Sequence, residues 1–386
     1  MKTLSMKSVV ACAMLGLGLV EPVSAHSREA AGEEVQDKKE SKVQLALLLD
    51  TSSSMDGLIQ QAKTQLWSIV NTFGHAQKDG RNAFVEVALY EYGNNALEEE
   101  SYWIRQVLPF TRDLDEVSEQ LFSLKTNGGN EYCGAVIRRA IEQLEWDDTP
   151  GTYRAMFVAG NEPFNQGPID PGAACREAMA KSVVVNSIHC GDESTGVNSG
   201  WKSGALVTGG TFCVIDQNKA VVQIDCPQDK IIIELNGKLN KTYLRFGSMG
   251  LECQTKQWAQ DGNAQVSKEA AVSRAMTKAT FNYDNRSWDL VDACRTKDFD
   301  WSKVEEEHLP EELKGLTLAE RKAHVAKMTA EREAIQKRIQ ELNKERAAFL
   351  AAERKKQGEE AAGTLGDEVR RAVASQAKAL GYQLGQ

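Results

Sequence analysis

VQLALLLDTSSSM, residues Val43–Met55, runs an apolar stretch straight into an aspartate and a cluster of hydroxyls. From Val43 to Leu49 only Gln44 is polar, which predicts a strand buried on both faces, as in a parallel sheet. Asp50-Thr51-Ser52-Ser53-Ser54 follows as an oxygen-rich loop, and Asp56–Phe73 reads as an amphipathic helix. The order strand, loop, helix puts the hydroxyls at the carboxyl end of the strand.

The same alternation continues outward from this stretch. Strand Phe84–Tyr92 is followed by a short edge strand at Trp103–Leu108, helix Asp113–Lys125, and a glycine-rich turn at Asn127–Tyr132 that opens helix Cys133–Glu145. Strand Tyr153–Ala159, helix Ala173–Lys181, buried strand Val183–His189, helix Trp201–Thr208 and short strand Gly210–Ile215 come next, and Asp229–Leu239 leads into a last helix. Strands alternating with helices at this spacing predict an α/β fold, a doubly wound, mostly parallel sheet with helices on both faces. Ligands of such sheets bind at the carboxyl ends of the strands, where Asp50, Asn161 and Gly191 are expected.

After Leu239 the pattern changes. Residues 240–310 carry Tyr243, Trp258, Phe281 and Trp288 among polar residues with no clear strand, and read as helices and loops packed on the sheet domain. Tryptophans and tyrosines there are expected to be packing anchors rather than a ligand box. In residues 311–386, Leu318, Val325, Met328, Ile335, Ile339, Leu342 and Phe349 follow a heptad, with Arg332 and Arg346 on the same seam. This C-terminal extension is expected to be a coiled coil or a long helix lying along its own chain, so self-association through 318–349 stays open. Gly358, Gly363 and Gly366 are expected to break it before a short helix at Asp367–Leu380.

At 386 residues the chain can bury one large core with an extension, or two cores. A net charge of −9 argues against general nucleic-acid binding, which shows a basic surplus on the binding domain. Residues 1–25 combine Lys2 and Lys7, an apolar run over Val9–Val20, and Val23-Ser24-Ala25, the three-part pattern of a secretory signal peptide. The run is too short to span a bilayer, and no other segment could cross a membrane. Export to the periplasm or the extracellular space is therefore expected, with residues 26–42 a disordered leader and 43–239 the sheet domain. Seven cysteines would remain: Cys133, Cys175, Cys190, Cys213, Cys226, Cys253 and Cys294. They could form disulfides or be small buried core residues, and a Cys190–Cys213 bridge requires neighbouring strands. No CxxC occurs and the histidines are scattered, so zinc is not expected.

Asp50, Ser52 and Ser54 match Asp-x-Ser-x-Ser. One carboxylate and two hydroxyls from a single loop suit a hard divalent cation, magnesium above all, with manganese or calcium as alternatives. With its strand and helix, the stretch resembles the von Willebrand factor A family, whose metal-ion-dependent adhesion site uses this motif. The resemblance covers roughly residues 43–239. It implies a threonine after a glycine pair, where Gly128-Gly129 is here followed by Asn130, an amide oxygen in place of a hydroxyl. It also implies Thr-Asp-Gly at the end of the fourth strand. Here Ala159-Gly160-Asn161-Glu162-Pro163 stands in that place, with Gly160 at the aspartate position. Asn161 or Glu162 could substitute from a shifted position, and Glu131 is a further candidate carboxylate. The expected metal set is Asp50, Ser52, Ser54, Asn130 and Glu162.

The bland alternative is that Ser52 and Ser54 cap the following helix and Asp50 satisfies nearby amides without a metal. Catalysis is not expected. His189 and Cys190 are adjacent on a strand and point to opposite faces, and no GxSxG elbow surrounds Ser54. A hydrolase using Asp50 and Glu162 lacks an identifiable base. The family resemblance implies a binding protein whose cation is completed by a partner protein's carboxylate. The competing reading is a metal-independent scaffold of the cell envelope acting through its C-terminal helix.

Overall fold

A computed structural model describes residues 41–215, 224–356 and 365–384. The expected signal peptide, the leader up to residue 40, Gly358 and Gly363 lie outside the described residues. Ser41 and Lys42, expected to end the leader, instead begin the first strand.

Seven strands form one sheet: β1 Ser41–Asp50, β2 Gln77–Lys78, β3 Arg81–Tyr92, β4 Ile104–Thr111, β5 Tyr153–Gly160, β6 Val184–Cys190 and β7 Phe212–Ile215. β3, β1, β5, β6 and β7 lie side by side and parallel, and β2 and β4 pair antiparallel with β3. With the two-residue β2 set aside, the order is that of a doubly wound sheet, in which the chain winds one way from β1 and then back past it. The reversal point is β1, between β3 and β5, and Asp50 is its last residue. The α/β doubly wound expectation holds, and the expected edge strand is present as β4, running antiparallel to β3.

Twelve α-helices accompany the sheet among the described residues: α1 Asp56–Thr72, α2 Leu114–Ser123, α3 Cys133–Gln143, α4 Pro171–Ala180, α5 Glu193–Asn198, α6 Trp201–Val207, α7 Pro227–Asn240, α8 Gly250–Asn263, α9 Lys268–Lys278, α10 Leu290–Ala293, α11 Leu318–Lys356 and α12 Leu365–Ala379. The period of two along β1 sorts its side chains. Val43, Leu45, Leu47 and Leu49 face α1, α2, α7, α9 and the C-terminal helices, whereas Ala46 and Leu48 face α3, α4 and α6. Both faces are covered, which is why the strand reads as an unbroken apolar run.

The C-terminal extension belongs to that core. Ile339 and Leu342 of α11, and Val369, Val373 and Ala377 of α12, are buried in the same cluster as the sheet. The two seam arginines are spent on the chain itself. Arg332 bonds Asp289 at 2.6 Å, Asp292 at 2.9 Å and the Thr242 carbonyl at 2.7 Å, and it stacks 4.0 Å from the Tyr243 ring. Arg346 bonds Asp229 at 2.7 Å and also pairs with Glu269. Of the two expectations for this stretch, the structure shows the long helix lying along its own chain. Gly366 does not break a helix but sits in the first turn of α12.

Beyond α12 the Tyr382 hydroxyl donates within reach of the carbonyls of Lys42 at 2.6 Å and Gly151 at 3.1 Å, and accepts from the Tyr153 amide. This contact closes the amino-terminal end of β1 and β5, opposite the Asp50 end. Tyr243, Tyr283, Trp288 and Tyr382 are buried anchors as expected, but Trp258 is half exposed on α8. Cys133, Cys175, Cys190, Cys226, Cys253 and Cys294 carry no disulfide. β6 and β7 are neighbours, yet Cys190 lies opposite Ile215 and Cys213 opposite Ile188, so the Cys190–Cys213 bridge does not form. No helix among the described residues is long and apolar enough to cross a membrane.

Candidate metal centre

The end of β1 delivers Asp50 into a wholly buried position. Its Oδ1 accepts the Ser52 amide at 2.7 Å, while Oδ2 is buried with no hydrogen-bond partner. Burial is the main force on its acidity. Against the Ser52 amide bond, and with the neighbouring Glu131 and Glu162 carboxylates adding to it, burial pushes the carboxyl up to about 8.

The loop after Asp50 is fixed by its neighbours. The Thr51 amide donates to the Tyr92 carbonyl at 2.9 Å, and its own carbonyl accepts the Asn127 amide at 2.9 Å. The Ser52 and Ser54 hydroxyls stand 3.1 Å apart, and Ser54 meets the Asn161 side chain at 3.0 Å. Neither the short 3₁₀ turn at Ser53–Met55 nor α1 has a side-chain cap bond at its start. The hydroxyls are therefore not consumed by capping and point toward each other and the rim.

Of the remaining expected ligands, Asn130 and Glu162 are exposed on the rim, and the Glu162 carbonyl accepts the Trp201 indole N–H at 2.9 Å. Two residues outside the expected set come closer. Asn161 reaches Ser54, and Glu131 is buried, its side chain against the same Gly93 that Asp50 Oδ1 borders. Burial raises the Glu131 carboxyl as well. The signal for Glu131 was present in the sequence, one position after the expected site of the family's threonine. What spacing could not supply was which of two adjacent side chains turns inward.

Gly160 stands at the end of β5 where the family keeps an aspartate, and there is no room for one. A Cβ there would lie 2.6 Å from the Tyr92 hydroxyl and 3.1 Å from Asp50 Oδ2. Tyr92 reaches across the end of β1 to donate to the Ala159 carbonyl at 2.9 Å. An orphaned buried carboxylate oxygen, a second buried carboxylate and two hydroxyls make an all-oxygen donor set that fits a hard divalent cation. His189, on the other hand, is buried against Trp201 while Cys190 faces the opposite core, so the adjacent pair does not come together. Among the described residues a separate exposed cluster, Glu305, Glu307 and His308, also gathers ligand atoms within 4.8 Å, far along the chain from this rim.

No family model matches the chain, and no curated protein matches it. Solved structures do. A zinc-occupied form of proximal thread matrix protein 1 from the mussel byssus aligns at 14% identity and a TM-score of 0.36, over 47% of this chain and 43% of that one. BatB from Bacteroides thetaiotaomicron aligns at 17% identity and a TM-score of 0.34, over 46% of this chain and 90% of that one. The SpRpn10 VWA domain aligns at 16% identity and a TM-score of 0.32, over 47% of this chain and all of that one. The chain thus spans less than half the length of the mussel protein it matches. The strand order, the edge strand and the Asp50 loop at the reversal point give the sheet portion of this chain a von Willebrand factor A-like fold.

Proposed function

We propose that this is an exported binding protein whose Asp50 rim engages a partner protein, with a divalent cation held by Asp50, Ser52 and Ser54. The observation that carries the reading is Asp50 itself, a fully buried carboxylate with one oxygen unpartnered beside the Ser52 and Ser54 hydroxyls, which pair with each other rather than cap a helix. A buried charge of this kind is costly unless paired or bound to a metal. When bound, the cation would offer an open coordination position to an oxygen from the partner, a carboxylate by the family's analogy. Asn130 and Glu162, exposed on the same rim, would meet the partner around it. Export rests on the pattern of residues 1–25. The buried thiols do not oppose it, because burial raises the Cys133, Cys175 and Cys190 thiols and keeps them inert to oxidation.

Binding is favoured over catalysis in this reading, since the described rim groups are carboxylates, amides and hydroxyls, the donors that a cation and a partner would use. The scaffold reading has less support, because the buried seam of α11 faces its own chain. Calorimetric titration of magnesium and manganese into wild type and Asp50→Ala tests the cation. Heat in the wild type alone supports it, and flat traces in both end it. Pull-down from the native compartment with and without chelator then tests the partner.

A further inference from the structure

We propose that Glu131 is itself a cation ligand at this site, supplying from the loop before α3 the second carboxylate that Gly160 cannot provide. The inference rests on the cation reading above and names a ligand that the family pattern does not place there. Asn130 is exposed, whereas Glu131 is only 6% exposed. It lies beside Asp50, which is wholly buried. They also crowd one backbone position. A Cβ on Gly93 would lie 2.8 Å from Glu131 Cγ and 2.9 Å from Asp50 Oδ1.

Two buried carboxylates thus crowd one glycine from loops far apart in sequence. Adjacent buried carboxylates repel when both are ionised. A divalent cation between them balances both charges and satisfies Asp50 Oδ2. The Ser52 and Ser54 hydroxyls, 3.1 Å apart, supply the neutral donors. With two anionic ligands from the protein, the cation is neutralised before any partner arrives. The free chain should therefore hold it unaided.

The test is manganese binding to the full chain, read by calorimetry and by the loss of the free-ion paramagnetic resonance signal. Glu131→Gln is expected to weaken binding about tenfold or more, since even residues behind a ligand carry effects of about that size. Asn130→Ala and Glu162→Gln, at exposed positions, are expected to change it less than about threefold. In chelator Glu131→Gln should melt at or above the wild-type temperature, because a buried carboxyl is replaced by a neutral amide of the same shape. With manganese added the wild type should gain more than the variant. Wild-type affinity in Glu131→Gln, or a clear drop of its melting temperature in chelator, overturns the inference while leaving the cation reading intact. Failure of the wild type to bind any cation overturns the reading on which it rests.

Discussion

The Tyr92 hydroxyl occupies the space into which a side chain at Gly160 would grow, 2.6 Å from where its Cβ would sit. Glycine at this position is therefore built into the way Tyr92 of β3 reaches across β1 to β5. Gly160→Asp is expected to destabilise the chain by about 1–3 kcal/mol, as overpacking a tight site does, and not to restore the missing ligand. Tyr92→Phe removes the obstructing oxygen, so Gly160→Ala should cost less in that background than in the wild type. A double-mutant cycle by urea denaturation measures this. Simple additivity of the two changes would show that the hydroxyl is not the obstacle.

Arg332 gives a second prediction. It joins α11 to Asp289 and Asp292, and both Arg332 and Asp289 are almost fully buried. Arg332→Ala should destabilise the chain by about 3–5 kcal/mol, because it strands buried carboxylates. Arg338, on the same helix, pairs with Glu341 and Glu345 at the surface, and Arg338→Ala should cost less than about 1 kcal/mol. Equilibrium denaturation alongside light scattering checks both. An Arg332→Ala chain of unchanged stability and altered mass would move the residue from the core of one chain to a contact between copies.

The third prediction concerns acid. Asp261 lies between Arg274 and Lys278 in a buried network with Asp115 and Tyr283. Burial alone would raise its carboxyl, but Lys278 and Arg274 outweigh burial and hold it down at about 2. The folded value lies below the unfolded one, so its contribution is fully present above about pH 4 and is lost as pH falls toward 2. The shift corresponds to about 2 kcal/mol. Asp261→Asn should be less stable than wild type at pH 7, with the gap closing on acidification. A gap constant from pH 7 to pH 2 would show that the carboxylate's ionisation contributes nothing.

Much of the fold was legible because each strand is bounded by a change of period. β1 and β6 read as apolar runs and β3 as an alternation, and their ends fell within a few residues of those observed. The three carboxyl-end positions named from that alternation, Asp50, Asn161 and Gly191, all lie at or just past strand ends. The two-residue β2 and the short helix α5 were not legible, since neither is long enough to set a period. At the site, the Asp50 loop could be read because its ligands share one stretch of chain. Glu131 could be named but not placed, and Tyr92 not foreseen, because they reach the site by tertiary packing. The role of α11 was ambiguous for a related reason. A seam of apolar residues and two arginines is compatible with a second helix or with the chain's own acids. Only the positions of Asp229, Asp289 and Asp292 decide between them.

The Tyr382 hydroxyl touches the carbonyl of Lys42 across 340 residues of sequence. During synthesis β1 emerges 340 residues ahead of its clasp, so the amino-terminal end of the sheet stays open until α12 has been made. Closing contacts of such long separation carries a large loop-closure penalty and slows folding. Until then the apolar surfaces of α1 and β7 that α12 will cover are exposed to other chains. A protein that leaves the cell before folding would avoid that interval at the ribosome and meet it instead on the far side of the membrane.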